Sequence, residues 1–193
     1  MTQDPMPPRL IHDIVRAGAM RTLELARESD MWDVAPLLGL VCDVDGEAFC
    51  IHVPVPDDYW RAAPAPAVVR SIAAAVGQGL ITLQLDVPTD SVRGVVLITE
   101  GHGVDVDRLT DAEKETLDDF RERHPLDRHP KSQELRMAHM IDRSLTQALG
   151  RHYRGNDVSE KVIYGFTGNI PTAMEELMTA ILAAWMSEAE TTT

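Results

Sequence analysis

The stretch Gly94-Val95-Val96-Leu97-Ile98-Thr99-Glu100-Gly101-His102-Gly103 decides how the chain is read. An unbroken apolar run between glycines predicts a central strand over 94–99, buried on both faces. The run ends in a carboxylate, a glycine, an imidazole and a second glycine, so the strand is expected to give way to a loop at Glu100. In proteins built on a sheet, functional groups gather where a strand meets a loop. This corner is therefore where the sequence offers chemistry.

Upstream, Val41-Cys42-Asp43-Val44-Asp45-Gly46-Glu47-Ala48-Phe49-Cys50-Ile51 predicts a hairpin turning on Asp45-Gly46, a pair suited to a type I′ turn. With a two-residue turn Val44 pairs with Glu47 and Cys42 with Phe49. Side chains alternate along a strand, so Cys42 and Cys50 face opposite ways and cannot form a disulfide with one another. Two free thiols suit a reducing compartment. Arg9 to Glu28 reads as a helix with Ile11, Ile14, Val15, Gly18 and Leu25 on one face, behind a loose arm over 1–8 that holds three prolines. Pro54, Pro56, Pro64 and Pro66 mark a loop containing a helical turn at Asp57–Trp60. Ala67 to Val76 follows as a helix. Leu80 to Leu85 fits either a short strand or a continuation of that helix.

Downstream, Thr110 with Glu113 three residues later is a capping-box pattern and predicts a helix over Asp111–Arg123, anchored by Leu117 and Phe120. Leu135–Ile141, Leu145–Tyr153 and Val158–Phe166 read as strands joined by turns at Asp142-Arg143-Ser144 and Gly155-Asn156-Asp157. Ala173 to Met186 is the clearest helix, with Met174, Leu177, Met178, Ile181, Leu182 and Trp185 in one apolar stripe. The order predicts an α+β fold: a single two-layer domain over 9–188, with N-terminal, middle and C-terminal helices packed on a mainly antiparallel sheet. Residues 189–193 are expected to be a tail.

The 193 residues suffice for one domain with its own core. No apolar run reaches the roughly 20 residues of a membrane helix, and Met1-Thr2-Gln3-Asp4-Pro5 does not open like a secretory signal, so a cytoplasmic protein with no membrane partner is expected. The net charge of −13 repels phosphate backbones and argues against direct nucleic-acid binding. The chain has no G-x-S-x-G elbow, no P-loop and no cysteine pattern for a zinc ribbon. Glu100-Gly101-His102-Gly103 begins like a dinucleotide fingerprint, but Val106 stands where its third glycine belongs.

If the central strand continues, Glu100 and His102 project from the same side. A carboxylate beside an imidazole can hold a metal or act as an acid/base pair. Asp105, Asp107, His124 and His129 are the candidates to complete a divalent-metal site with them. The plainer alternative is a polar strand end, where Glu100 caps a backbone group or pairs with an arginine. His124 and His129 each precede a proline in a charged loop. His139 alternates with Leu135, Met137 and Ile141, which predicts a core or rim histidine. Met174, Met178, Trp185 and Met186 form a candidate partner-binding face, with packing on the protein's own sheet as the alternative. Trp32 and Trp60 are expected to cover the core edge.

The segment Gly94–Gly101, followed after a charged loop by His129-Pro130-Lys131-Ser132-Gln133-Glu134-Leu135-Arg136, resembles a pattern in small uncharacterised proteins of actinobacteria and their phages. There a G-V-x-L-x-T-E strand precedes an H-P-x-[RS]-x-E segment and a strand ending near Asp-Arg, here Asp142-Arg143. The resemblance implies a similar fold and an actinobacterial or phage setting, and brings no activity with it. The order of elements is also similar to the JAB/MPN zinc isopeptidase fold. Those enzymes need H-x-H-P followed by S-x-x-D, whereas this chain has His102 alone, so that likeness implies a non-catalytic relative.

The expectation drawn from all this is a non-enzymatic module that binds another protein or itself, without a cofactor. Two alternatives stand beside it: a metal-dependent hydrolase centred on Glu100 and His102, and an acidic inhibitor of a nucleic-acid-binding protein.

Overall fold

Asp45 and Gly46 have φ of 53° and 84°, the left-handed pair that a type I′ turn needs. They join β1 (Leu37–Val44) to β2 (Glu47–Val53) with Val44 opposite Glu47 and Cys42 opposite Phe49. Both cysteines are free, as their opposite orientations require. The computed structural model describes residues 8–29, 32–82, 86–155, 158–160 and 168–191.

The sheet has six strands in the order β2-β1-β3-β4-β5-β6, every neighbour antiparallel. The remaining strands are β3 (Val92–Val104), β4 (Ser132–Asp142), β5 (Gln147–Tyr153) and β6 (Val158–Glu160). The helices are α1 (Pro8–Glu28), α2 (Asp57–Ala62), α3 (Ala65–Gly77), α4 (Asp111–Arg123) and α5 (Asn169–Thr191). The single antiparallel α+β domain is the architecture found. The third predicted strand is described over Val158–Glu160, and 161–167 lie outside the described residues. Leu80 to Thr82 are neither helix nor strand, and 83–85 lie outside.

The number of layers differs from the expected two. Val95 and Leu97 of β3 pack with Leu38, Leu40, Cys42 and Ile141 under α3 and α5. Val96 and Ile98, on the other face, pack with Val41, Ala138, Met140 and Ala148 under α1. A central strand that is apolar on both faces needs cover on both, and the chain provides three layers, helix on sheet on helices.

The central strand also runs further than its apolar run. Glu100 to Val104 stay paired with Arg136 to Ser132, so the glycines at 101 and 103 lie inside a strand rather than in a hinge. Gly103 is there for close approach: a Cβ on it would meet Leu135 Cδ2 at 2.6 Å.

On α1 the buried apolar side chains among the described residues are Val15, Ala19 and Leu23, with Gly18 buried beside them as expected. Leu25, expected on that face, points about 120° away from its centre at 3.6 residues per turn and is 49% exposed. Helix α5 extends through Thr191, so the expected tail begins no earlier than 192. At the other end α1 opens at Pro8, and residues 1–7 of the expected arm lie outside the described residues. Among the described residues no helix is long and apolar enough to cross a membrane.

Candidate functional site

On the α1 face of the sheet, three polar side chains lie in a row across neighbouring strands. Glu100 of β3 is in register with Arg136 of β4, which is in register with His152 of β5. Arg136 is 1% exposed and His152 3%. A buried guanidinium is tolerated only when paired and hydrogen-bonded. Arg136 Nη2 and Nε donate to Glu100 Oε1 at 2.5 and 2.9 Å. Above it lies the Trp32 ring, with Arg136 Cζ 4.8 Å from the ring centroid, a cation–π contact. Arg154 Cζ is 5.4 Å from the same ring, and the His152 ring is 5.4 Å from it.

The second oxygen of Glu100 holds the segment that carries Trp32. The amides of Asp33 and Val34 donate to Oε2 at 2.8 and 3.3 Å. Asp33 has φ 61°, a left-handed conformation that aspartate tolerates better than most residues. Glu100 thus ties the α1–β1 connection down onto β4. Both of its oxygens are occupied by internal donors, which makes it a structural anchor rather than a general base.

Next to this pair a cleft of about 450 Å³ opens on the same face. Its walls are Thr22, Leu25, Ala26 and Ser29 of α1, the 34–37 segment, His52 of β2, and Val55, Asp57 and Trp60 around α2; Ile98, Glu100 and Arg136 form its floor. Leu25 and Val34 stand exposed at the mouth, at 49% and 40%. A mainly apolar cleft of this size with a few convergent polar groups is the usual form of a ligand site. Glu28, Asp33 and Asp58, all exposed, adjoin lining residues in sequence, and Asp57 is itself in the wall. Arg61 is bound to Asp57 at 3.8 Å and Arg21 to Glu28 at 4.0 Å. Arg21, Arg27 and Arg61 adjoin lining residues in the same way, so Asp57 is the exposed carboxylate that the wall itself presents.

The six residues expected to gather round a metal do not converge. Glu100 is engaged by Arg136 and by two amides. His102 projects from the same side as Glu100 but is exposed, in register with Glu134, whose carboxylate is paired with Arg154. Asp105 caps the short turn over Val106–Arg108, accepting from the Asp107 amide at 3.2 Å and pairing with Arg108 at 3.3 Å. Asp107 is exposed. His124 and His129 flank Phe120, with ring centroids 5.1 and 4.9 Å away, and His129 Nδ1 accepts the Lys131 amide. Among the described residues no three His, Cys, Asp or Glu side chains are grouped to hold a metal ion. The continued pairing of β3 explains this: it holds Glu100 and His102 in an extended strand and denies them a loop that could fold back.

The candidate partner face on α5 divides in two. Met174 and Met178 are buried in the protein's own core, at 1% and 0% exposure, which corrects their expected role at an interface. Trp185 is partly buried against the same core, and Met186 is 68% exposed. Trp32 and Trp60 both sit at the core edge, Trp32 over Arg136 and Trp60 in the cleft wall.

His139 lies on the α3/α5 face, opposite Leu97 and Leu149 and beside Met174 and Pro171 of α5. Burial, with Arg151 adding to it, holds its imidazole down to about 4 from the ordinary 6.5. On the other face burial pushes the Cys50 thiol up to about 11 despite the Thr22 hydroxyl beside it.

Glu100 does what its plainer alternative expected, accepting backbone amides and pairing with an arginine, whereas the cleft and the identity of that arginine were not read from the sequence. One signal was there: Arg136 shares its strand face with Ala138 and Met140, and a charge in a buried alternation demands a partner. Comparison with models of protein families, with curated proteins and with solved structures finds no match to this chain.

Proposed function

We propose that the protein is a non-enzymatic binding module that takes an apolar, positively charged segment of a protein partner into the cleft beneath the C-terminal half of α1. The observation that carries this reading is the pairing of exposed aliphatic walls, Leu25 and Val34, with the exposed Asp57 carboxylate in the same cleft, on a chain of net charge −13. Apolar anchors supply affinity in such a site, and opposite charge at the rim supplies steering and selection. A net charge of −13 favours a basic partner over an acidic one. The internal engagement of Glu100 by Arg136 and the Asp33 amide supports a structural role for this carboxylate over a catalytic one. A cytoplasmic setting is supported by the two free thiols, and an actinobacterial or phage origin by the sequence likeness alone.

The test is partner capture from an actinobacterial lysate, with wild type beside Leu25→Asp and Val34→Asp. Both residues are exposed, so the variants keep the fold, which circular dichroism checks. The reading expects a basic protein retained by wild type, released by salt and lost with either variant. Equal retention by all three, or none by wild type, overturns it.

A further inference from the structure

At one end of the sheet β6 is described over Val158–Glu160. At the other, β2 presents Ala48-Phe49-Cys50-Ile51-His52-Val53, a run without Lys, Arg, Asp, Glu or Pro. Natural edge strands are blunted by shortness, charge, proline or a bulge, because unpaired amides and carbonyls invite another strand. β2 is neither short nor charged along this run.

The hairpin register shows which groups are available. A two-residue turn makes its flanking residues a hydrogen-bonded pair, here Val44 and Glu47. Phe49, Ile51 and Val53 then turn their amides and carbonyls toward β1. Ala48, Cys50 and His52 turn theirs outward along the sheet edge, where no further strand pairs among the described residues. Pro54 follows in sequence and lacks an N–H, so it bounds the usable edge on one side. The turn at Gly46 bounds it on the other.

We propose that two copies of this chain pair through β2, antiparallel about a twofold axis at Cys50, to make one continuous twelve-stranded sheet. This register uses every outward amide between the turn and Pro54: Ala48 opposite His52 of the second copy, Cys50 opposite Cys50, and His52 opposite Ala48. It also sets Phe49 opposite Ile51 of the second copy in a non-hydrogen-bonded pair, where side chains approach most closely. Phe49, 37% exposed on the α3/α5 face, gains an aliphatic neighbour there. The absence of charge matters, since copies of a chain with net charge −13 repel one another and come together most easily along an uncharged strip. The pairing leaves both clefts on the same side of the joined sheet and does not depend on what occupies them.

The experiment is sedimentation equilibrium of the full chain from low-micromolar to submillimolar concentration. Phe49→Glu is run in parallel, and a disulfide trap is built in a Cys50→Ser background with Ala48→Cys and His52→Cys together. Positions 48 and 52 lie about 13 Å apart on one strand at the usual rise per residue, so the trap closes only between copies. The proposal expects a concentration-dependent dimer, weakened at least about tenfold in dissociation constant by Phe49→Glu, and a covalent dimer from the trap under mild oxidation. A monomer at every concentration, or a dimer indifferent to Phe49→Glu and untrapped by the paired cysteines, overturns it.

Discussion

Glu100 and Arg136 face one another from adjacent strands with Arg136 Nη2 2.5 Å from Glu100 Oε1, and the same carboxylate binds the amides of Asp33 and Val34. One side chain thus neutralises a buried charge and fastens the connection that carries Trp32. Glu100→Gln keeps the shape but leaves the guanidinium buried without its counter-charge, which is expected to cost about 3 kcal/mol. The double replacement Glu100→Leu with Arg136→Met removes both charges and is expected to recover much of that loss. Urea unfolding of the three proteins measures the difference, and Trp32 fluorescence reports release of the 32–34 segment. A single variant as stable as wild type would contradict the anchoring role.

His139 predicts an acid-sensitive fold. The folded imidazole takes a proton only near pH 4, whereas the unfolded one does so near 6.5. Between these values the unfolded chain binds more protons. Stability from this group is therefore complete above about pH 6.5 and lost as pH falls toward 4, by up to roughly 3 kcal/mol. Urea midpoints across that interval should fall more steeply for wild type than for His139→Gln. Parallel curves would show that the histidine is not held neutral by the fold.

The capping box at the start of α4 is complete. Thr110 Oγ1 accepts the Glu113 amide at 3.4 Å, Glu113 accepts the Thr110 amide at 2.8 Å, and Lys131 Nζ lies 2.8 Å from the same carboxylate. Lys131, with Thr110, holds the Glu113 carboxyl down to about 2 from 4.5. Thr110→Ala is expected to cost about 1 kcal/mol in thermal or urea unfolding. Lys131→Met should raise the Glu113 carboxyl toward its ordinary range, visible as a later carboxyl-carbon transition in an NMR titration. An unchanged transition would place the effect outside the ion pair.

The two thiols should be unreactive in the folded protein. Burial raises both, Cys50 to about 11, so little thiolate is available at neutral pH. Alkylation followed by mass spectrometry should find both modified rapidly in urea and slowly in buffer. A Cys42–Cys50 disulfide forming under mild oxidant without unfolding would contradict the register Cys42–Phe49.

Much of this architecture is legible in residues close together in the chain. The β1–β2 register follows from Asp45-Gly46, because a two-residue turn leaves no freedom in what it pairs. The start of α4 follows from Thr110 and Glu113, and the face of α5 from an apolar stripe that repeats with the helix. The extent of β3 was not legible. Glycines at 101 and 103 suggest a loop by composition, but they lie in paired strand opposite Leu135 and Gln133, and only the presence of β4 makes that the favoured state. Leu25 joins the apolar residues of α1 by type, yet the side of the helix facing the sheet is defined by what lies across it.

By itself, the sequence determined the class of fold, the hairpin and its cysteine orientations, the capping box of α4, the buried stripe of α5 and the acidic character of the chain. These rest on turn geometry, on side-chain periodicity and on summed charge, all of which act over a few residues or over the whole composition. The tertiary structure alone decided that both faces of the sheet are covered. It also decided which arginine and which backbone amides Glu100 binds, and that a cleft opens between α1 and α2. Trp32, Glu100, Arg136 and His152 are far apart in the chain and meet only where strand order places β3, β4 and β5 side by side. The energy of their contact belongs to burial, which no local stretch of sequence can express.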